Sequence, residues 1–206
     1  MIASPATAAR TGGRDLLAAA LRDSRTRTLA LLDAYVAALG EALTVPYSLQ
    51  LNPPLWEAGH VGWFQDFWIA RNRQRSLGIR CDPDHQRPDG RLSGADALYN
   101  SSRVAHATRW NLPLPDLAAT RAYLAAGLAD TLDLLAVAPE NDDGLYFFRL
   151  VLFHEDMHTE AAIYMAQALA IPLPAGLLSP AQAGPGNGAL SVPAQTWMLG
   201  YAGDGF

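Results

Sequence analysis

FFRLVLFHEDMHTEAAIYM (residues 147–165) is the stretch that decides the fold of this chain. Phe147, Leu150, Val151, Ala161 and Met165 recur at three- and four-residue intervals, the period of one face of an α-helix. His154 and His158 stand on that same apolar face, one turn apart, so both imidazoles point into a core rather than into water. Asn141, Asp142 and Asp143 suit a helix N-terminus. The helix is expected over residues 141–170, stopping before Ile171-Pro172.

Three more helices follow from the same reasoning. Leu17, Leu21, Leu29, Leu32, Val36 and Leu39 mark one over residues 15–39, with Gly40 as its stop. A second begins after Asn52-Pro53-Pro54 and is expected to reach residue 77 and end at Gly78. Trp56, His60, Trp63, Phe64 and Phe67 share one of its faces. A third opens at Leu114-Pro115-Asp116 and runs to about residue 137. Residues 79–112 read as a long loop with a helical turn near 95–105, and a loop of that length is often functional. The fold class is therefore all-α, a four-helix bundle over residues 1–170. Residues 171–190, full of Pro and Gly, are expected to be a linker. Residues 191–206, SVPAQTWMLGYAGDGF, turn β-like and are expected to be the first strand of a truncated α+β domain, the chain being a piece of something longer.

Composition narrows the functions available. Half of the 206 residues are hydrophobic and 17% are charged, a globular balance. A net charge of −5 argues against a nucleic-acid partner. All 15 basic residues are arginine, which excludes a Schiff-base or P-loop lysine. Cys81 stands alone, so no internal disulfide forms. Neither a signal peptide nor a membrane span is evident, and a cytoplasmic location is expected.

Three of the five histidines sit where burial without a partner is expensive. His60 lies on the core face of the second helix, and with His154 and His158 it makes a set that one divalent ion would satisfy at once. HExxH also raises a zinc protease with Glu155 as general base, but that class needs a third ligand, usually downstream, and no histidine follows His158. Glu155 is expected instead to orient the second nitrogen of a ligand histidine. Three imidazoles leave coordination positions open but do not choose the metal, since such sites also suit zinc. His85, His106 and Cys81 belong to the loop, and Trp63 or Phe64 is expected to line a pocket.

NPPLWEAGHVGWFQDFW (residues 52–68), LYNSS (98–102) and HEDMHTEAAIY (154–164) resemble, in order, three motifs of the ergothioneine and ovothiol sulfoxide synthases. VPAQTWMLGYAGDGF (192–206) looks like the entry into their second domain, of the formylglycine-generating-enzyme type. The resemblance implies a DinB-like bundle holding non-haem Fe(II) on His60, His154 and His158. It implies a reaction that joins a selenosugar or thiol donor to the imidazole of hercynine with dioxygen. It also places the catalytic acid or base in the second domain. Arg103, Arg109 and Trp63 are the implied substrate contacts. No further arginine follows before Arg121, which fits the selenoneine-synthase branch and a donor without carboxylates. Met157 stands where these relatives often carry a polar residue. Two other classes fit part of the pattern: a DinB-type metal-dependent thiol S-transferase, and a non-catalytic binding module.

Overall fold

The structure, a computed structural model, describes residues 5–177, 188–189 and 191–200. The α-helices among them are α1 (Pro5–Thr11), α2 (Arg14–Leu39), α3 (Pro54–Gln65), α4 (Ala95–Tyr99), α5 (Leu117–Ala136) and α6 (Asp142–Ala168). α2, α3, α5 and α6 pack side by side as the expected all-α bundle, and α1 is a short addition that periodicity does not announce. Local chemistry sets their ends. Asn141 caps α6 by accepting from Gly144 N at 2.8 Å, and Asp116 caps α5 by accepting from Ala119 N at 2.8 Å. Pro54 opens α3, where a missing N–H costs nothing, and Gly40 closes α2 at φ 76°. No helix among the described residues is long and apolar enough to cross a membrane.

Leu17, Leu21, Leu135, Phe148 and Leu152 fill one end of the bundle, and Leu32, Tyr35, Val61, Leu124 and Ala166 the other. Each large apolar side chain buried this way contributes roughly 1.5–3 kcal/mol. Between the two lies a polar knot. Arg25 of α2 is 3% exposed, and its Nε and Nη2 reach the carboxylate of Glu155 on α6 at 2.7 and 3.1 Å. Nη2 also donates to Gln65 Oε1 of α3 at 2.9 Å, and Nη1 donates to the Leu124 carbonyl of α5. One guanidinium thus ties all four bundle helices together.

The second helix departs from expectation. Its α-helical hydrogen bonding ends at Gln65, and Asp66–Ala70 widens into a π-turn closed by Arg71 N to Asp66 O at 2.9 Å. Gly78 is no helix stop but lies inside a 3₁₀ segment, Arg75–Arg80, at φ 56° against Asp143. The expected strand is corrected as well. Residues 191–200 form no strand, and Met198 and Leu199 are 95% and 91% exposed, because no ladder partner exists among the described residues. Most of the expected linker and residues 201–206 lie outside the described residues.

The ring of Tyr99 lies across Gly59, one residue before His60, where a Cβ would collide with it. Gly59→Ala is expected to destabilise the chain by about 1–3 kcal/mol through overpacking, read from urea unfolding. Glu155→Ala should cost about 3–5 kcal/mol by stranding Arg25, while leaving the stoichiometry of any bound metal unchanged. Loss of metal without loss of stability would contradict that role.

Candidate metal centre

α3 and α6 face each other so that His60, His154 and His158 meet, with one ligand nitrogen of each within 4.8 Å of the others. His154 Nε2 stands 3.2 Å from His60 Nε2 and 3.2 Å from His158 Nε2. The outer nitrogens explain this convergence. His60 Nδ1–H donates to the Tyr99 carbonyl at 2.7 Å, and His158 Nδ1–H donates to Glu57 Oε2 at 2.5 Å. Both Nε2 atoms are then bare lone pairs aimed inward. His154 is held differently, its ring stacked on Phe64 at 3.5 Å and 4°.

A single N–H on His154 can satisfy only one of its two neighbours, so three ring nitrogens face one another without enough protons. A cation resolves that. Two nitrogens about 2.1 Å from one ion, in adjacent positions, lie roughly 3.0–3.4 Å apart, which matches the spacing seen. The donor set therefore fits a divalent transition metal.

The three imidazoles sit in the wall of a cavity of about 750 Å³. Trp56, Trp63 and Phe64 line it beside the histidines, and Phe67, Trp68, Arg71, Arg87, Arg103 and Met157 form more of its wall. Phe67 and Trp68, both on the π-turn, lie under the guanidinium of Arg87 at 3.9 and 4.8 Å. Trp63 Nε1 donates to Asp96 at 2.7 Å, and Arg71 grips the same carboxylate at 2.7 and 2.9 Å. Those Arg71 bonds hold Asp96 at about 2, well below its ordinary value.

Glu155 is not the carboxylate that orients a ligand. It is spent on Arg25 and Thr28, because it lies one residue beyond His154 and so faces α2. Glu57 takes that place. Burial alone would push its carboxyl up, but the bonds from His158 and Asn52 bring it below its ordinary value. Glu57 sits three residues before His60, and that i, i+3 spacing is the signal by which the sequence offers it. Arg103 lies on the exposed rim of the cavity, and its guanidinium has no hydrogen-bond partner among the described residues. Arg109 lines the cavity too, but Asn52 and Trp56 already engage it. His106 binds the Leu51 carbonyl and His85 the Asp82 carbonyl, and neither joins the cluster.

Burial and the neighbouring His158 push His60 from 6.5 down to about 4, and burial with both other imidazoles pushes His154 to about 2. An unfolded histidine binds its proton near pH 6.5, so between about 6.5 and 4 the unfolded state holds a proton that the folded state lacks. Stability of the ion-free chain should therefore fall as pH drops through that window, by on the order of 3 kcal/mol from His60 alone. Urea midpoints at pH 7 and about pH 4.5 with a chelator present check this, and an unchanged midpoint contradicts it.

Comparison with known proteins agrees with the helical bundle. Residues 20–162 match the DinB superfamily. A hercynine oxygenase of Mycolicibacterium smegmatis is 33% identical over 198 residues, covering 91% of this chain and 41% of that protein. The hercynine oxygenase of Mycobacterium tuberculosis is 31% identical over 169 residues, 82% of this chain and 36% of that one. A third, from Mycolicibacterium thermoresistibile, is 31% identical over 153 residues, 74% and 30%. The chain thus spans about two fifths or less of the length of these relatives. They correct one expectation. Each is named for oxygenation of hercynine, and the name carries neither a selenium or sulfur donor nor a carbon–chalcogen bond, so the reading as a C–Se or C–S synthase is withdrawn. With its four-helix bundle and a match over most of its length, the chain belongs to the DinB superfamily.

Proposed function

We propose that this chain supplies the metal-binding bundle of an iron(II)- and dioxygen-dependent oxygenase acting on hercynine. The observation that carries the reading is the convergence of three imidazole Nε2 atoms, 3.2 Å apart in succession, at the wall of a 750 Å³ cavity. His60, His154 and His158 hold the ion, and iron(II) with three nitrogen ligands and open positions supplies dioxygen chemistry. The relatives' name supports both the oxygen chemistry and the substrate.

The chain's own residues do the rest of the work on this side. Tyr99 O and Glu57 hold two imidazoles as the tautomers whose Nε2 points inward. Trp63 and Phe64 give the cavity rigid apolar walls beside the ion, which exclude water there and present flat faces to an imidazole. Arg103 stands at the rim within the field of Asp96 and makes no side-chain hydrogen bond among the described residues, which suits it to the carboxylate of a zwitterionic substrate. Residues 1–170 act as the metal domain, 171–190 as a linker, and residues from 191 on as the start of a further domain that completes the site.

The full-length protein, titrated anaerobically with Fe(II), should take up one ion per chain and then consume dioxygen only when hercynine is present. His154→Ala should abolish both. Absence of hercynine-dependent oxygen uptake from the iron-loaded protein would overturn the reading. Membership of the DinB superfamily favours one second reading, a metal-dependent thiol S-transferase. Thiol transfer that survives strict exclusion of dioxygen would support it.

A further inference from the structure

Arg109 lies on the 3₁₀ segment His106–Asn111, far in sequence from either ligand helix, yet its guanidinium is already engaged beneath the cavity. Nη1 donates to Asn52 Oδ1 at 2.8 Å, and the guanidinium lies 3.9 Å over the Trp56 ring. Asn52 Nδ2 donates to Glu57 Oε1 at 2.5 Å, and the other Glu57 oxygen receives His158 Nδ1–H at 2.5 Å. Trp56 in turn is stacked on His60, with centroids 4.9 Å apart and planes 7° from parallel. Nε of Arg109 is sealed from solvent without a partner, so the two-pronged face needed to grip a carboxylate is largely used or inaccessible.

We propose that Arg109 is a positioning residue for the metal centre, acting through Asn52 and Glu57 on His158, with Trp56 serving as the platform that holds its guanidinium in place. The assignment rests on reading the three histidines as metal ligands.

The polarity of the chain admits one arrangement. A guanidinium only donates and a carboxylate only accepts, so the amide between them must turn its oxygen to Arg109 and its nitrogen to Glu57. Removing Arg109 leaves Asn52 Oδ1 without its donor, so the amide can turn toward another donor and draw Nδ2 away from Glu57 Oε1. Glu57 is 8% exposed, and a buried carboxylate that loses one of two donors must turn to find another. It can do so only by moving the oxygen that holds His158. Arg109 thus locks an amide orientation, and that orientation locks a ligand.

Cobalt(II) serves as the probe, since its visible absorption reports the ligand field directly. Arg109→Gln and Asn52→Asp in the full-length chain should each weaken Co(II) binding about 10-fold, the low end of what losing an outer partner of a metal ligand costs, and shift the visible band. Asn52→Asp still accepts from Arg109 but cannot donate to Glu57, so it tests the same link if Arg109→Gln folds poorly. Arg109→Lys, which keeps a cationic donor, should recover part of the affinity. In a Glu57→Gln background, Arg109→Gln should change affinity by less than about 2-fold, because the path is already cut. Unchanged affinity and an unchanged band in a folded Asn52→Asp variant overturn the proposal while leaving the metal centre standing. A wild-type chain that binds no Co(II) overturns the metal centre itself, and the relay with it.

Discussion

A guanidinium in the middle of a helix bundle is the constraint on which the rest of this structure depends. Taking Arg25 out of water is expensive, and it is tolerated only because nearly every donor it has finds an acceptor. Those acceptors come from α3, α5 and α6, one helix each, so the four helices cannot rotate or slide independently without stranding a charge. An apolar seam would tolerate small slips; this knot does not. Its consequence for the site is direct. Successive residues on a helix differ by about 100° in direction, so turning Glu155 toward α2 turns His154 and His158 toward α3. The ion pair sets the aim of the two imidazoles without touching them.

The three imidazoles are held by three different devices. His60 is fixed by a backbone carbonyl, His158 by a carboxylate, and His154 by a ring stacked on Phe64. Only one of these partners brings a charge to the centre. The carboxylate opposite His158 raises the basicity of that imidazole, while the carbonyl opposite His60 does so less. The three-histidine cluster is therefore asymmetric, and the asymmetry lies on the side where Asn52 and Arg109 stand. The same cavity shows how aromatic and cationic groups share one wall. Phe67 and Trp68 carry Arg87 on their faces, and Trp56 carries Arg109, so flat surface that would otherwise attract a cation is already taken.

The all-α bundle was legible because apolar residues at a 3.6-residue period specify a helix and its buried face. The three histidines were legible for the same reason: a polar ring on an apolar face must find a partner. The end of α3 was not legible, since the π-turn at Asp66–Ala70 keeps helical composition and only its hydrogen bonding changes. Glu155 and Glu57 show the limit most clearly. Both are acids within three residues of a core-facing histidine, and the HExxH pattern favours the first. Arg103 and Arg109, paired in sequence as implied substrate contacts, differ in the structure, where Asn52 and Trp56 already engage Arg109.

By itself, then, the sequence determined the four helices of the bundle, which faces they bury, and that His60, His154 and His158 point inward, because periodicity is a local property of a chain. Only the tertiary structure decided which carboxylate meets His158, that Arg25 consumes the other, and that Arg109 is held at the cavity wall by Asn52 and Trp56. Those assignments depend on what stands across from each side chain. Residues 52, 57, 109 and 158 become neighbours only when α3, α6 and the loop between α4 and α5 have packed together.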